Sequence, residues 1–193
     1  MQNEQFNDRN LFSVHIRLHK INDPLMILNN FFSDDWLPGH LERLKKWRQY
    51  VLAGDYYKDA KGSPSGLLYF HELNICLIEA MHSYYEKGIA AEVLATKVQL
   101  EEEQKNWRDF PVLLSDAELL SPLLVIEDFF RDYDHHQYIS MLYEWLEYGL
   151  SSSPAAEFIQ TGSFITVYEN LQKLYCAAWL IFQRSTEKPW LKV

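Results

Sequence analysis

Glu79 and His82 form a Glu-x-x-His pair, a spacing that suits metal chemistry. On a helix this spacing places both side chains on one face, as in the di-iron sites of four-helix bundles. Such a site needs a second Glu-x-x-His, but the positions 98 residues further along hold Ala177 and Leu180. A metal-dependent hydrolase with Glu79, His82 and His135 as metal ligands therefore stays an alternative. The main expectation is a solvated polar stripe without a resident metal or cofactor.

The segment from Asp132 to His136 brings together two carboxylates and two imidazoles. On a helix the neighbouring His135 and His136 point about 100° apart, so they would chelate one ion poorly. Asp134, with Gln137 three residues later, is typical of a helix N-cap with a capping box. The cluster is therefore predicted to begin a helix.

Arg131, followed by four residues and His136, resembles the Arg-x4–6-His motif of HEPN-type ribonucleases, including a polar Asp132 after the arginine. The resemblance covers six residues. It implies a hydrolase that cleaves RNA with Arg131 and His136 as catalytic residues, and this is the enzyme alternative. Because Asp134 is predicted to cap a helix inside the motif, and because acidic charge opposes RNA binding, a non-enzymatic function is favoured.

Other catalytic motifs are missing from the sequence, which has no Walker sequence, no His-Glu-x-x-His and no Gly-x-Ser-x-Gly. Cys76 and Cys176 lie in apolar helical patterns. Since burial raises the pKa of a thiol, neither cysteine is expected to be nucleophilic. Reduced, buried thiols and an N-terminus without a secretory signal predict a cytoplasmic protein.

The composition of the 193 residues, 48% hydrophobic and 15% aromatic, predicts a folded chain with a sizeable core. The net charge of −9 disfavours nucleic-acid binding, which depends on Lys and Arg side chains that neutralise phosphates. No apolar run reaches the roughly 20 residues that a membrane helix needs. Neither nucleic acid nor a membrane is therefore expected as a partner.

An internal repeat sets the expected organisation. When the chain is shifted by 98 residues, 12–52 aligns with 110–150 without a gap, and 11 of 41 positions are identical. Chance would give roughly three identities. The matches include rarer residue types, at Pro24 and Pro122, Phe31 and Phe129, and Trp47 and Trp145. We predict two copies of a three-helix unit, residues 1–98 and 99–193, packed as one pseudo-symmetric all-α domain. Both tryptophans are predicted to be core anchors.

Capping residues predict where the helices of the first copy begin and end. Asp23 is expected to cap a helix from Pro24 to about Phe32. Pro38 is expected to open the second helix and Gly54 to end it.

The second copy is predicted on the same grounds. Ser121 is expected to cap a helix that starts at Pro122, and Gly149 to end the helix that follows. The remaining helices are expected at residues 67–86, 90–107 and 164–184.

The two copies differ in charge, and this difference guides the functional prediction. Residues 1–98 carry 11 basic and 12 acidic side chains, whereas residues 99–193 carry 7 and 15. The helix of residues 138–148 is apolar over most of its circumference, so it is predicted either to be buried or to face a partner. The candidate partner-binding residues are Tyr138, Met141, Tyr143, Glu144, Leu146 and Glu147. The main prediction is a non-enzymatic protein-interaction module for a basic protein or for a second copy in a homodimer.

Overall fold

The computed structural model describes residues 23–53, 64–87, 93–151 and 161–186. Within these ranges the chain forms eight α-helices and no strand, which confirms the predicted all-α class. Numbered in chain order, the helices are α1 (Pro24–Asp34), α2 (Leu37–Ala53), α3 (Pro64–Lys87), α4 (Lys97–Asn106), α5 (Asp116–Leu120), α6 (Leu123–Asp132), α7 (His135–Leu150) and α8 (Thr161–Ser185).

The two longest helices, α3 and α8, organise the packing. Helices α1 and α6 each pack against both of them. Helix α2 packs on α8 and helix α7 on α3, and α2 and α7 also contact each other. The short helices α4 and α5 lie between α3 and α6 in the sequence, and α5 contacts α6 and α8. Apolar side chains from all eight helices form one buried cluster.

Two predicted helix starts are confirmed by their hydrogen bonds. The Asp23 carboxylate accepts a hydrogen bond from the Leu25 backbone N–H at 3.0 Å, which caps α1. Asp134 and Gln137 form the capping box of α7, with N···O distances of 2.9 Å and 2.8 Å. Both signals are local, because the bonded residues are two or three positions apart.

One predicted helix start is wrong, and one predicted helix end is displaced by one residue. Pro122 occupies the N-cap position of α6, and none of the described side chains caps this helix. Ser121 contributes its backbone carbonyl instead, which accepts a hydrogen bond from the Leu124 N–H at 3.1 Å. Helix α7 ends at Leu150, one residue after Gly149, and an added Cβ at Gly149 would come within 3.3 Å of the Trp47 indole nitrogen. This glycine serves close packing, and Gly54, the predicted end of α2, lies outside the described residues.

The segment between α3 and α6 differs most from its prediction, which was a single helix at residues 90–107. Helix α4 begins at Lys97, after the N-cap Thr96, whose side chain accepts a hydrogen bond from the Gln99 N–H. A separate short helix, α5, follows a capping box made by Ser115 and Glu118. The Ser-x-x-Glu pattern at these two positions is the sequence signal that indicates this helix.

Trp47 and Trp145 lie at the contact between α2 and α7. Their exposed fractions are 0% and 2%. The ring centroids are 5.6 Å apart with the planes at 85°, an edge-to-face pair. The Trp47 Nε1–H donates a hydrogen bond to the Trp145 carbonyl oxygen at 3.1 Å. The prediction that both tryptophans are core anchors is confirmed.

An aromatic contact recurs at positions 98 residues apart. The His40 ring stacks on Phe31 with centroids 3.9 Å apart, and its Nε2 lies 2.8 Å from the Phe31 carbonyl oxygen. The Tyr138 ring stacks on Phe129 at 3.7 Å, and its hydroxyl donates to the Phe129 carbonyl at 3.0 Å. Each ring therefore bonds a carbonyl oxygen in the last turn of α1 or α6, and the Phe129 carbonyl also accepts the Tyr133 backbone N–H at 3.5 Å.

We expect the free energy of unfolding to decrease as the pH falls below about 6.5, with a contribution from His40. Burial lowers the pKa of His40 from its ordinary 6.5. Its buried Nδ1 atom has no partner within the described ranges, so protonation would add an unpaired N–H and a charge to the core. Because the unfolded chain binds the proton more readily, this stability is complete above pH 6.5 and is lost as the pH falls toward the folded-state pKa.

The His40 contribution can be measured by urea denaturation between pH 5 and pH 8. The variant His40→Gln keeps an amide donor and removes the titration, so its stability should fall less steeply with decreasing pH. His136→Gln, at an exposed position, is the matched control and should follow the native curve. Parallel curves for the native chain and His40→Gln would contradict the assignment.

Candidate functional site

A polar cavity of about 260 Å³ is lined by residues of α5, α6 and α8. Four carboxylate side chains and only two cationic side chains line this cavity, which we call the acidic cleft. The charged residues that line it are Glu118, Asp128, Arg131, Asp132, Glu169 and Lys173. Val125 and Phe129 add apolar surface to the same cavity.

Glu118 is the most buried of these carboxylates, with a side chain 10% exposed. Burial alone would raise the pKa of its carboxyl, but hydrogen bonds from Lys173 and Ser115 outweigh this effect, so the pKa lies below its ordinary value. The Lys173 ammonium lies 2.7 Å from Glu118 Oε1. Glu118 is therefore ionised at neutral pH and already paired, and it holds one wall of the cleft in place.

Asp132 is held by a chain of hydrogen bonds that reaches into the core. The Asn170 amide donates to Asp132 Oδ2 at 2.9 Å and contacts the Tyr138 hydroxyl at 2.8 Å. That hydroxyl in turn donates to the Phe129 carbonyl. An amide leaves the negative charge of Asp132 intact, so this carboxylate remains able to bind a cation.

A second cavity, of about 570 Å³, is lined by three tryptophans, and we call it the tryptophan cleft. Trp36 comes from the turn between α1 and α2, Trp107 from the end of α4, and Trp179 from α8. The Trp36 ring is 46% exposed and meets the Trp179 ring at 62°, with centroids 5.7 Å apart. Arg108 and Asp109 also line this cavity.

No protein-family model, curated protein or solved structure matches this chain. In the described ranges no helix is long and apolar enough to cross a bilayer. We infer function from the chemistry of the two clefts and from the placement of the residues that the sequence singled out.

The candidate partner-binding residues on α7 divide between the core and the surface. Tyr138 and Leu146 are 0% and 9% exposed and belong to the buried cluster. Tyr143 is 38% exposed, and Glu144 and Glu147 are also exposed. Met141 is half-buried. The buried members are not accessible to a partner. Binding of a partner by the exposed members on α7, and the homodimer, remain predictions.

Arg131 and His136, the residues that resemble the ribonuclease motif, lie on different helices. Arg131 is in the last turn of α6 and pairs with Asp128 at 2.7 Å, with its side chain 71% exposed. His136 is in the first turn of α7, where its ring lies 3.8 Å from that of His135. The predicted Asp134 cap separates the two helices, so the motif does not lie on one continuous helix.

His82 and His135, two of the candidate metal ligands, are brought together as stacked rings with centroids 4.3 Å apart. Burial lowers the pKa of His135, and the neighbouring His82 and His136 lower it further. Glu79 is close enough to act on the same imidazole in the opposite direction. Among the described residues, no group of three or more His, Cys, Asp or Glu side chains could hold a metal ion.

Both cysteines are buried and reduced, as the sequence predicted. Burial raises the pKa of the Cys76 and Cys176 thiols to about 12, so neither is a thiolate at neutral pH. Sequence reasoning did not find the two clefts. The acidic bias of the second half was visible, but the convergence of Trp36, Trp107 and Trp179 was not, because no local pattern connects them.

Proposed function

We propose that this chain is a non-enzymatic helical binding module whose acidic cleft holds a Lys or Arg side chain of a protein partner. The observation that carries the proposal is the excess of carboxylates around a cavity of about 260 Å³. Low-dielectric walls strengthen the field of such charges, which attracts and orients a cation. An ammonium or guanidinium group also supplies the donors that carboxylates accept.

We infer in addition that the module consists of two copies of a three-helix unit, α1–α3 and α6–α8. The stack of His40 on Phe31 and that of Tyr138 on Phe129 support this, because both pairs of positions are offset by 98 residues. The helix packing supports it as well. The contact of α1 with α3 corresponds to that of α6 with α8, and the contact of α3 with α7 to that of α8 with α2.

Two carboxylates of the acidic cleft have neutral counterparts in the first unit. Asp128 corresponds to Asn30, and Glu169 corresponds to His71. A carboxylate that served only to solvate a helix surface would be equally useful in both units. The concentration of acidic side chains around one cavity of one unit therefore favours a binding role over a general solubility role.

The counterpart of Asp132 is neutralised in the first unit. Asp34 forms an ion pair with Arg43. The residue that corresponds to Arg43 in the second unit is Met141, which has no charge to offer. Asp132 is held instead by the Asn170 amide, so its negative charge stays available to a cationic side chain.

The proposal predicts that removing two carboxylates from the cleft weakens binding of a basic peptide. We expect Asp128→Asn with Glu169→Gln to raise the Kd of acetyl-Lys-Ala-Lys-amide by roughly two- to thirtyfold, since each of the two exposed ion pairs that are lost contributes about 0.2–1 kcal/mol. The Kd is measured at low salt from backbone amide shifts in an NMR titration. Added salt should weaken the native interaction, because it screens exposed charges.

Two matched variants carry the same change in charge elsewhere. Glu101→Gln with Glu102→Gln alters exposed positions of α4 outside the cleft and should leave the Kd within about twofold of the native value. Glu144→Gln with Glu147→Gln alters the exposed surface of α7. If Glu144→Gln with Glu147→Gln causes a larger loss of affinity than Asp128→Asn with Glu169→Gln, the basic partner binds α7 and the acidic cleft is not its site.

A further inference from the structure

The tryptophan cleft places a large, partly exposed aromatic surface in a concave site. Trp36 is 46% exposed although it is one of the largest apolar side chains in the chain. The cavity of about 570 Å³ falls within the range of ligand pockets. Tryptophan is also among the residues that contribute most to binding where a partner side chain fills a desolvated pocket.

Trp179 gives an independent indication that the cleft receives a ligand. The residue is 3% exposed, and its buried Nε1 atom has no hydrogen-bond partner among the residues that the structure describes. The Trp47 Nε1–H, by contrast, has the Trp145 carbonyl as its acceptor. Buried donors in proteins are nearly always paired, so the Trp179 N–H, which no described residue accepts, is a donor that a ligand could use.

The polar groups of the tryptophan cleft suit a peptide better than a ligand that carries only positive or only negative charge. Arg108 and Asp109 offer opposite charges, so a purely anionic or cationic small molecule would meet one repulsive group. Gln183, which is 8% exposed, offers an amide that can both donate and accept. A peptide group is neutral and carries both a donor and an acceptor, which matches this set.

We propose that the tryptophan cleft binds a large apolar side chain, aromatic by preference, of a basic polypeptide partner, and that the neighbouring backbone carbonyl accepts the Trp179 N–H. This inference rests on the proposed function, since the same partner would place a basic side chain in the acidic cleft. Both clefts use α8, and Lys173 and Trp179 lie about 9 Å apart along its axis.

The test uses three blocked peptides: acetyl-Lys-Phe-Lys-amide, acetyl-Lys-Ala-Lys-amide and acetyl-Gly-Phe-Gly-amide. Binding is followed through the indole N–H signals of the six tryptophans by NMR, with the Trp179 signal assigned from Trp179→Phe. Both phenylalanine peptides should move the Trp179 N–H signal downfield, as expected for a newly accepted hydrogen bond. The alanine peptide should leave that signal unchanged. We expect Trp36→Ala to lower the affinity for acetyl-Lys-Phe-Lys-amide at least about fivefold, because a tryptophan of this kind contributes strongly to binding.

Tyr85→Ala, which removes a similarly exposed aromatic ring on α3, is the matched control and should not change the affinity. If acetyl-Lys-Phe-Lys-amide and acetyl-Lys-Ala-Lys-amide bind equally and the Trp179 signal does not move, the inference is wrong while the acidic cleft stands. If acetyl-Gly-Phe-Gly-amide moves the Trp179 signal and acetyl-Lys-Ala-Lys-amide does not bind, the tryptophan cleft stands and the basic partner is wrong. A signal shift that persists in Trp36→Ala with native affinity also overturns the inference, because the exposed indole would then contribute nothing.

Discussion

Trp47→Ala is expected to lower the free energy of unfolding by about 3–5 kcal/mol, the usual cost of removing a fully buried large aromatic side chain. The side chain is 0% exposed and lies between the two halves of the chain. Its loss removes the edge-to-face contact with Trp145 and the ring contact with Phe70, whose centroid is 5.9 Å away. It also leaves the Trp145 carbonyl without the indole donor. Urea denaturation followed by circular dichroism measures the change.

A conservative variant separates the packing from the hydrogen bond. Trp47→Phe keeps much of the ring volume but leaves the Trp145 carbonyl unpaired, so it should cost less than the alanine variant. Tyr85→Ala, at a half-exposed ring, should cost less still. A Trp47→Ala protein that unfolds within about 1 kcal/mol of the native chain would show that the α2–α7 contact does not hold the halves together.

Local signals in the sequence predicted the helices, because the interactions that start a helix act over two or three residues. The caps at Asp23 and at Asp134 with Gln137 illustrate this. Gly149 shows the limit of local signals. A glycine near the end of a helix is typical of termination, and α7 does end one residue later, but the Trp47 indole also packs against the space that a Cβ at Gly149 would fill. Only tertiary packing shows this second role.

The candidate site depended on tertiary structure even more. An apolar circumference on residues 138–148 is compatible with burial or with an interface, and the structure shows that the helix has both buried side chains, such as Tyr138, and exposed ones, such as Tyr143. The acidic bias of the second half was visible, yet the sequence cannot tell which carboxylates share a cavity. Glu118 and Lys173 pair across 55 positions, a contact that no periodic pattern encodes.

Arg184→Met is expected to lower the free energy of unfolding by about 3–5 kcal/mol, because it leaves the Glu103 carboxylate buried without its counter-charge. The guanidinium binds Glu103 through two hydrogen bonds, of 2.9 Å and 2.7 Å. It also donates to the carbonyl oxygens of Val93 at 2.9 Å and Leu119 at 2.8 Å. The Arg184 and Glu103 side chains are only 5% and 14% exposed, so water screens this pair little.

The arrangement of these bonds explains why the effect should be large. The Arg184 guanidinium joins Val93, helix α4 and the end of α5 to helix α8. These segments belong to the part of the chain between α3 and α6. Arg184→Lys keeps the charge but loses the planar fork, so it should lie between the native chain and the methionine variant. Arg184→Met combined with Glu103→Leu removes both charges and should recover part of the loss, since the remaining cost is no longer that of an unpaired ion.

The same ion pair also supports the tryptophan cleft. Glu103 and Arg184 line a small cavity with Trp107, whose backbone N–H donates to the Glu103 carbonyl at 2.8 Å. Loosening α4 should therefore displace Trp107 and weaken binding of acetyl-Lys-Phe-Lys-amide more than binding of acetyl-Lys-Ala-Lys-amide. Urea denaturation and the two peptide titrations measure these effects on one variant. Native stability in Arg184→Met would show that the ion pair is not required for the packing of α4 on α8.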